Sequence, residues 1–170
     1  MVGSYSVTRR VTGNESRVTS RRRQPITLYN ALMSPLHSAY GSLFFLQLLI
    51  SAFFAILFLQ SGIDKIIDRR GNLEWLTGHF AKSPLAGMVP MLLGVITLLE
   101  LLSGALSAVG CALVLLRNDP TIAFYGVVLS GFSLIALFFG QRMAKDYPGA
   151  GTLVPYFLVV IAGLIWLGQH

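Results

Sequence analysis

The sequence has 170 residues, of which 54% are hydrophobic and 12% are charged, and its formal net charge is +6. A soluble domain carries roughly 25% charged residues, so the composition excludes a chain whose whole surface faces water. The single cysteine, Cys111, excludes an internal disulfide, and no cysteine and histidine spacing suited to zinc is present.

Residues 1–25 form a polar and basic tail with six arginines, one glutamate and seven serines or threonines. Three interpretations of the tail are open: contact with anionic lipid headgroups, an organelle transit peptide, or docking onto another protein. A tail this poor in hydrophobic residues does not fold alone, so a fixed conformation would require a partner. The predicted lipid or partner contacts in the tail are Arg9, Arg10, Arg17, Arg21, Arg22 and Arg23.

Residues 26–41 mix apolar and polar positions, which predicts an approach segment lying on the membrane, with Tyr29 and Tyr40 at headgroup level. Tail and approach segment together make the first predicted region, 1–41, and residues 42–170 make a transmembrane domain. Its first span is predicted over about 42–61. The next segment, 63–80, is amphipathic and contains Gly71-Asn72, which predicts an interfacial hairpin.

Two further spans begin at Ser83-Pro84 and Asp119-Pro120, where a capping side chain precedes a proline. They are predicted over about 84–116 and 120–141, and Thr152 is a candidate cap for a fourth span over about 153–168. An apolar segment of about 18 or more residues can cross the roughly 30 Å hydrocarbon layer as a helix. The predicted fold is therefore an all-α membrane protein, a bundle of four transmembrane helices.

Four spans place both ends of the transmembrane domain on one side of the membrane. The tail and Arg117 hold seven lysines or arginines, and the two opposite loops hold six. By the positive-inside rule, this margin of one residue favours a cytoplasmic N-terminus.

The second predicted span has two unlike faces when its residues are placed 100° apart. Lipid tails are as apolar as leucine, whereas small residues let helix backbones approach closely. The small and polar face should therefore lie inside the bundle, and it contains Thr97, Glu100, Ser103, Gly104, Ser107 and Cys111. The corresponding packing residues are Gln47, Ser51, Ser61 and Gly62 in the first span and Gly126, Ser130, Ser133 and Gly140 in the third.

Glu100 is the only charged residue in 83–116. A charge at that depth costs on the order of 2.5–3.5 kcal/mol on insertion scales, so the carboxyl should be neutral or paired. A functional hypothesis makes it a proton relay, a quinone headgroup partner or a substrate contact. A structural hypothesis makes it a neutral group bonded to Gln47, Thr97 or Ser130. We predict no second acid, histidine or lysine at the same depth.

A second polar cluster lies at the end of the third span. It contains Gln141, Arg142, Lys145 and Asp146. Arg142 and Lys145 are predicted contacts for lipid headgroups, and an anion or partner contact is the alternative.

Three segments resemble the DoxX-like family of small bacterial membrane proteins. They are Phe58–Lys65 at the end of the first span, Glu100–Gly104 in the second, and Gly140–Tyr147 before the last. The resemblance covers about 42–168, and the preceding tail departs from it. It implies a four-helix protein of the bacterial inner membrane that accompanies redox enzymes, and it implies no catalytic residue.

Three functions compete on the sequence alone. The first is a non-catalytic membrane subunit of a larger respiratory or redox complex. The second is a contribution to a quinone-linked oxidoreductase site through Glu100, and the third is a small transporter. We expect no metal site. A haem inside a bundle takes axial histidines from facing helices, and His37, His79 and His170 all lie outside the predicted spans, which argues against haem. Lipid is the expected ligand, and quinone is the alternative. Expected partners are other membrane subunits and lipids, and no nucleic acid.

Overall fold

The structure is a computed structural model, and it describes residues 39–169. The tail arginines, Tyr29, His37 and His170 lie outside these residues, as do all predictions made on them. The described chain is helical, with no strand between residues 39 and 169. Its helices are α1 (Ala39–Ile67), α2 (Arg69–Phe80), α3 (Val89–Arg117), α4 (Thr121–Met143) and α5 (Tyr147–Leu167), and a short 3-10 turn covers Ala86–Met88.

Four of these helices are long and apolar enough to cross a membrane, which confirms the all-α, four-span prediction. α1 packs most extensively on α3, α3 on α4, and α4 on α5. Smaller contacts of α1 with α4 and α5 complete the bundle. The apolar core is centred on Phe54 and Phe58 of α1, Val114 of α3, and Val127 of α4.

The predicted end of the first span is wrong. α1 continues from residue 61 to Ile67, because Asp64 and Lys65 do not terminate it. Asp64 is exposed, and Lys65 reaches a partner on α3. A charged residue near a helix end is compatible with a span when its head reaches water or a counter-charge.

The interfacial hairpin predicted at Gly71-Asn72 is also wrong. α2 passes through both residues as one helix, and the chain breaks earlier, at Asp68. The Asp68 side chain caps α2 by accepting a hydrogen bond from the Gly71 amide at 3.1 Å. α2 has no buried residue and presents Trp75 at its surface, 61% exposed. It is an amphipathic helix beside the spans, as an interfacial segment should be.

The predicted helix starts differ in their outcomes. Asp119 accepts a hydrogen bond from the Thr121 amide at 2.9 Å at the predicted place, although the N-cap residue of α4 is Pro120, which makes no side-chain capping bond. Ser83 instead bonds the Leu85 amide in a turn, and α3 begins only at Val89. Thr152 lies inside α5 and donates to the Gly149 carbonyl, so its predicted capping role is wrong. The cap of α5 is Asp146, which accepts from the Gly149 amide at 2.9 Å.

The small and polar face of α3 lies inside the bundle. Thr97, Glu100, Ser103, Gly104 and Ser107 are buried, and Cys111 is half-buried. The opposite face presents exposed apolar side chains, which include Val95, Leu98, Leu102, Val109 and Leu116. Without a hydrophobic force between helices in lipid, close backbone packing decides which face turns inward.

The α3–α4 contact depends on glycine. A Cβ atom added to Gly110 would overlap the backbone of Ala123, and one added to Gly126 would lie 2.6 Å from the Ser107 hydroxyl. Each glycine therefore faces the other helix where no side chain fits. Gly94 lies near the start of α3, away from this contact, and has open space around it.

Candidate functional site

The most unusual feature of the bundle is an ion pair between α1 and α3. Nζ of Lys65 lies 2.9 Å from Oε2 of Glu100 and donates a hydrogen bond to Oε1 at 3.1 Å. The Glu100 side chain is 1% exposed and the Lys65 side chain 17% exposed. The carboxylate is thus enclosed by protein, while its counter-charge extends to the edge of the bundle.

Ser61 completes this cluster. Its hydroxyl donates to Oε1 of Glu100 at 3.1 Å and accepts from Nζ of Lys65 at 2.8 Å. One turn of α1 therefore supplies both a cation and a hydroxyl to one carboxylate. Oε1 receives the two aligned hydrogen bonds, and Oε2 is neutralised by the nearby charge without an aligned donor among the described residues.

The predicted surroundings of Glu100 are wrong in two respects. A lysine does reach its depth, because Lys65 belongs to the extended α1. The three predicted hydrogen-bond partners are also engaged elsewhere: Gln47 donates to the Trp166 carbonyl, Thr97 to the Leu93 carbonyl, and Ser130 is bonded to Ser103. Of the two states expected for the buried Glu100 carboxyl, neutral or paired with a charge, the structure has the paired one.

The remaining predicted packing residues lie at helix contacts. Ser51 and Ser133 are fully buried and donate to carbonyls of their own helices, at Gln47 and Leu129. Ser103 and Ser130 share a 2.6 Å hydrogen bond across α3 and α4. Ser107 is fully buried, and within residues 39–169 its hydroxyl has no hydrogen-bond partner.

Close backbone approach surrounds the ion pair. A Cβ added to Gly62 would lie 2.8 Å from the Leu101 side chain. One added to Gly104 would lie 2.6 Å from the Leu59 amide nitrogen. These glycines bring α1 and α3 close enough for Lys65 to reach Glu100. The segments Phe58–Lys65 and Glu100–Gly104, which carry the family resemblance, thus meet at one helix contact.

A second polar cluster joins α2 to the α4–α5 turn. Nε2 of His79 donates to Oε1 of Gln141 at 2.9 Å and lies 3.8 Å from Oδ2 of Asp146. The imidazole also stacks on Trp75, with ring centroids 4.7 Å apart. Gln141 and Asp146 are a predicted cluster; His79 and Trp75 join it in the fold, and no spacing in the sequence links them to it.

The two basic residues of this turn have separate environments. The Arg142 guanidinium lies over the Tyr147 ring at 4.5 Å, a cation–π contact. Lys145 is exposed and has a positive φ of 60°, which lets the chain reverse between α4 and α5. Neither residue is enclosed, so both can reach lipid headgroups.

An apolar cavity of about 140 Å³ lies beside this second cluster. α2, the start of α3 and the end of α4 form its walls. Most of the lining is aliphatic or aromatic, while His79 and Gln141 are its polar members. Val95 and Phe139 also line it and are 51% and 54% exposed, so the cavity opens on the outer surface of the bundle.

Fold and site together define a multi-pass membrane protein, a four-helix bundle with a buried ion pair between α1 and α3 and an interfacial helix over an apolar cavity. Comparison of the chain with protein-family models, with curated proteins and with solved structures gives no match.

Proposed function

We propose that the chain is a non-catalytic integral membrane subunit of a larger respiratory or redox complex, in which it supports assembly or stability. The main support is the position of the Lys65–Glu100 pair. The two charges neutralise each other within the α1–α3 contact, and Ser61 forms hydrogen bonds with both side chains. Buried polar groups in this arrangement fix how two helices meet, a role that is documented for other proteins.

We also propose that the chain belongs to the DoxX-like family and lies in a bacterial inner membrane. Support comes from the contacts that the three resembling segments make in the fold. Lys65 and Gly62 of the first segment contact Glu100 and Leu101 of the second, and Gln141 of the third anchors α2 through His79. Residues of the three resembling segments thus lie at two helix contacts, α1 with α3 and α2 with α4.

The partner proposal concerns the arginine-rich tail, and deletion of residues 2–24 tests it. We expect the shortened chain to insert and fold, since the spans hold their own backbone hydrogen bonds. It should lose its partner subunits at a lower salt concentration than the full chain, because arginine pairs bidentately with carboxylates. The measurement is co-purification in mild detergent across a salt series.

A chain with lysine at all six tail arginine positions is the matched control. It keeps the charge and removes the planar fork of arginine. Docking onto a protein predicts weaker retention of partners by this variant, whereas contact with lipid headgroups predicts unchanged retention. If the deletion variant keeps the same partners at the same salt concentration, the docking proposal is wrong and lipid contact replaces it.

We propose a cytoplasmic N-terminus, and cysteine labelling tests this orientation. In a Cys111→Ser background, Ser16→Cys should be shielded from a membrane-impermeant thiol reagent in intact cells, and Asn72→Cys on α2 should react. The expected pattern follows from the distribution of lysine and arginine between the two sides. Labelling of the tail instead of α2 would reverse the orientation. Permeabilised cells provide the control, since both positions should then react.

A second candidate function is a contribution to a quinone-linked oxidoreductase site through Glu100. The observation that favours it is the partial exposure of the Lys65 side chain, through which the enclosed carboxylate has a charged route to the edge of the bundle. In this case the Glu100→Gln complex should assemble and lose turnover. Under the assembly proposal, the same variant should retain turnover.

A further inference from the structure

An apolar groove of about 280 Å³ runs between α4 and α5 on the outer surface of the bundle. Leu134 and Phe138 of α4 line it together with Leu153 and Phe157 of α5. Its volume is about twice the ~150 Å³ of an apolar cavity that holds one benzene ring. The α4–α5 groove therefore has room for a segment of hydrocarbon chain.

The groove arises from the way in which α4 and α5 pack. In the half of the two helices away from their connecting turn, glycines let the backbones approach closely. A Cβ added to Gly131 would lie 3.2 Å from Val160, and one added to Gly163 would lie 3.0 Å from Val127. Toward the turn, leucine and phenylalanine line the contact instead, and they leave the gap that forms the groove.

A cation lies at the end of the groove that faces the turn. Arg142 follows Phe138 by four residues and Ile135 by seven, so it shares the face of α4 that lines the groove. The Arg142 guanidinium lies 4.5 Å from the centre of the Tyr147 ring. Tyr147 precedes the lining residue Val154 by seven residues and so lies on the same face of α5. The Arg142–Tyr147 contact thus joins the two helices above the groove.

The positive charge of this turn is not neutralised by the chain. Arg142 and Lys145 are exposed, and neither forms an ion pair within residues 39–169. Asp146, the acid of the turn, is engaged elsewhere, since Oδ1 accepts from the Gly149 amide and Oδ2 lies 3.8 Å from Nε2 of His79. Two cations therefore remain for an external anion, and arginine binds phosphate bidentately.

The depth of the groove matches one leaflet of a bilayer. Phe138 and Leu134 precede Arg142 by four and eight residues, which places them about 6 and 12 Å further along the helix. Half of a hydrocarbon layer is about 15 Å thick. With the Arg142 guanidinium at headgroup level, where long basic side chains end, the groove lies where the acyl chains of the same leaflet run.

We propose that the α4–α5 groove binds a phospholipid with a net negative headgroup. Its phosphate pairs with Arg142, Lys145 supplies a second cation, and one acyl chain lies along the groove. An anionic headgroup fits best because a zwitterionic one carries a cation of its own beside the phosphate. The site is separate from the Lys65–Glu100 pair, and it does not depend on the accessory-subunit proposal.

Quenching by brominated lipids tests the proposal on the full-length chain in phosphatidylcholine vesicles. The two native tryptophans are removed by Trp75→Phe and Trp166→Phe. Phe157→Trp then places a groove reporter ten residues from the start of α5. Leu98→Trp, in a separate chain, places a surface reporter nine residues from the start of α3, on its exposed face. The probes are phosphatidylglycerol and phosphatidylcholine with the same brominated acyl chains.

We expect the groove reporter to show about fivefold stronger binding of brominated phosphatidylglycerol than of brominated phosphatidylcholine, as one basic side chain at the membrane surface predicts. The surface reporter should show no preference. Arg142→Gln should reduce the preference at the groove reporter to about one- to twofold. Arg142→Lys should keep part of it, because the charge remains and the planar fork is lost.

Arg117→Gln is the matched control for the loss of charge. Arg117 is also exposed, but it ends α3 on the opposite side of the membrane from the α4–α5 turn, so the preference should not change. Quenching at the surface reporter in each variant shows that the chain is inserted.

Three results would overturn the proposal. Equal binding of the two lipids at the groove reporter would mean that the groove holds bulk lipid only. A preference that survives Arg142→Gln would mean that another group selects the headgroup. Weak quenching of the groove reporter by both lipids, with normal quenching of the surface reporter, would mean that a helix of a second copy or of another protein covers the groove.

Discussion

Lys65→Met should lower the free energy of unfolding of the bundle by about 3–5 kcal/mol, because it leaves a buried carboxylate without its cation. Glu100 is 1% exposed and lies among packed helices, so water cannot replace the lysine. Glu100→Gln should cost less, about 1 kcal/mol. The Lys65 side chain is partly exposed beside Glu100, so its charge can extend toward the headgroups when the carboxylate is removed. Unfolding in detergent, followed by circular dichroism, measures both effects.

The double variant Lys65→Met/Glu100→Leu provides the control. Replacing both members of a buried pair by apolar residues is often neutral, so the double variant should be more stable than Lys65→Met alone. Glu100→Leu alone completes the cycle, and additive effects of Lys65→Met and Glu100→Leu would mean that the ion pair does not hold α1 to α3. An assembled but inactive Glu100→Gln complex would favour the quinone-linked function, and the carboxyl would then be its chemical centre.

The interior face of α3 was predictable from sequence because it depends on one helix alone. Glu100, Ser103 and Ser107 recur at helical spacing, and apolar residues fill the opposite face, so the 3.6-residue period assigns both faces. Helical spacing does not, however, identify the hydrogen-bond partner of a buried side chain. Gln47 is buried as expected, yet it donates to the Trp166 carbonyl of α5 and not to Glu100 of α3, because the choice of partner depends on how the helices are arranged around one another.

The ion pair could not be predicted, because it depends on where α1 ends. Lys65 is 35 residues from Glu100 and lies beyond residue 61, where the first span is predicted to end. A lysine can remain in such a helix when its head finds a counter-charge, and only the tertiary contact supplies that charge. His79 and Gln141, 62 residues apart, have the same explanation, since α2 must first lie along the end of α4.

Gly110→Val should be the most disruptive change in the α3–α4 contact, with a loss of about 3 kcal/mol in the free energy of unfolding. A Cβ at this position overlaps the backbone of Ala123, which cannot rotate away as a side chain can. The two helices would have to separate, and the neighbouring hydrogen bond between Ser103 and Ser130 would lengthen with them. Thermal unfolding in detergent measures the stability.

Gly94→Val is the matched control for this prediction. Gly94 lies in the same helix, and a Cβ there meets no atom within 4 Å. Valine is a somewhat better helix former than glycine, so this substitution should leave the unfolding temperature unchanged or slightly raised. Disulfide cross-linking between cysteines placed on α3 and α4 should slow in Gly110→Val and remain as in the parent chain in Gly94→Val. Equal stability of the two variants would contradict this prediction and would mean that α3 and α4 can separate at little cost.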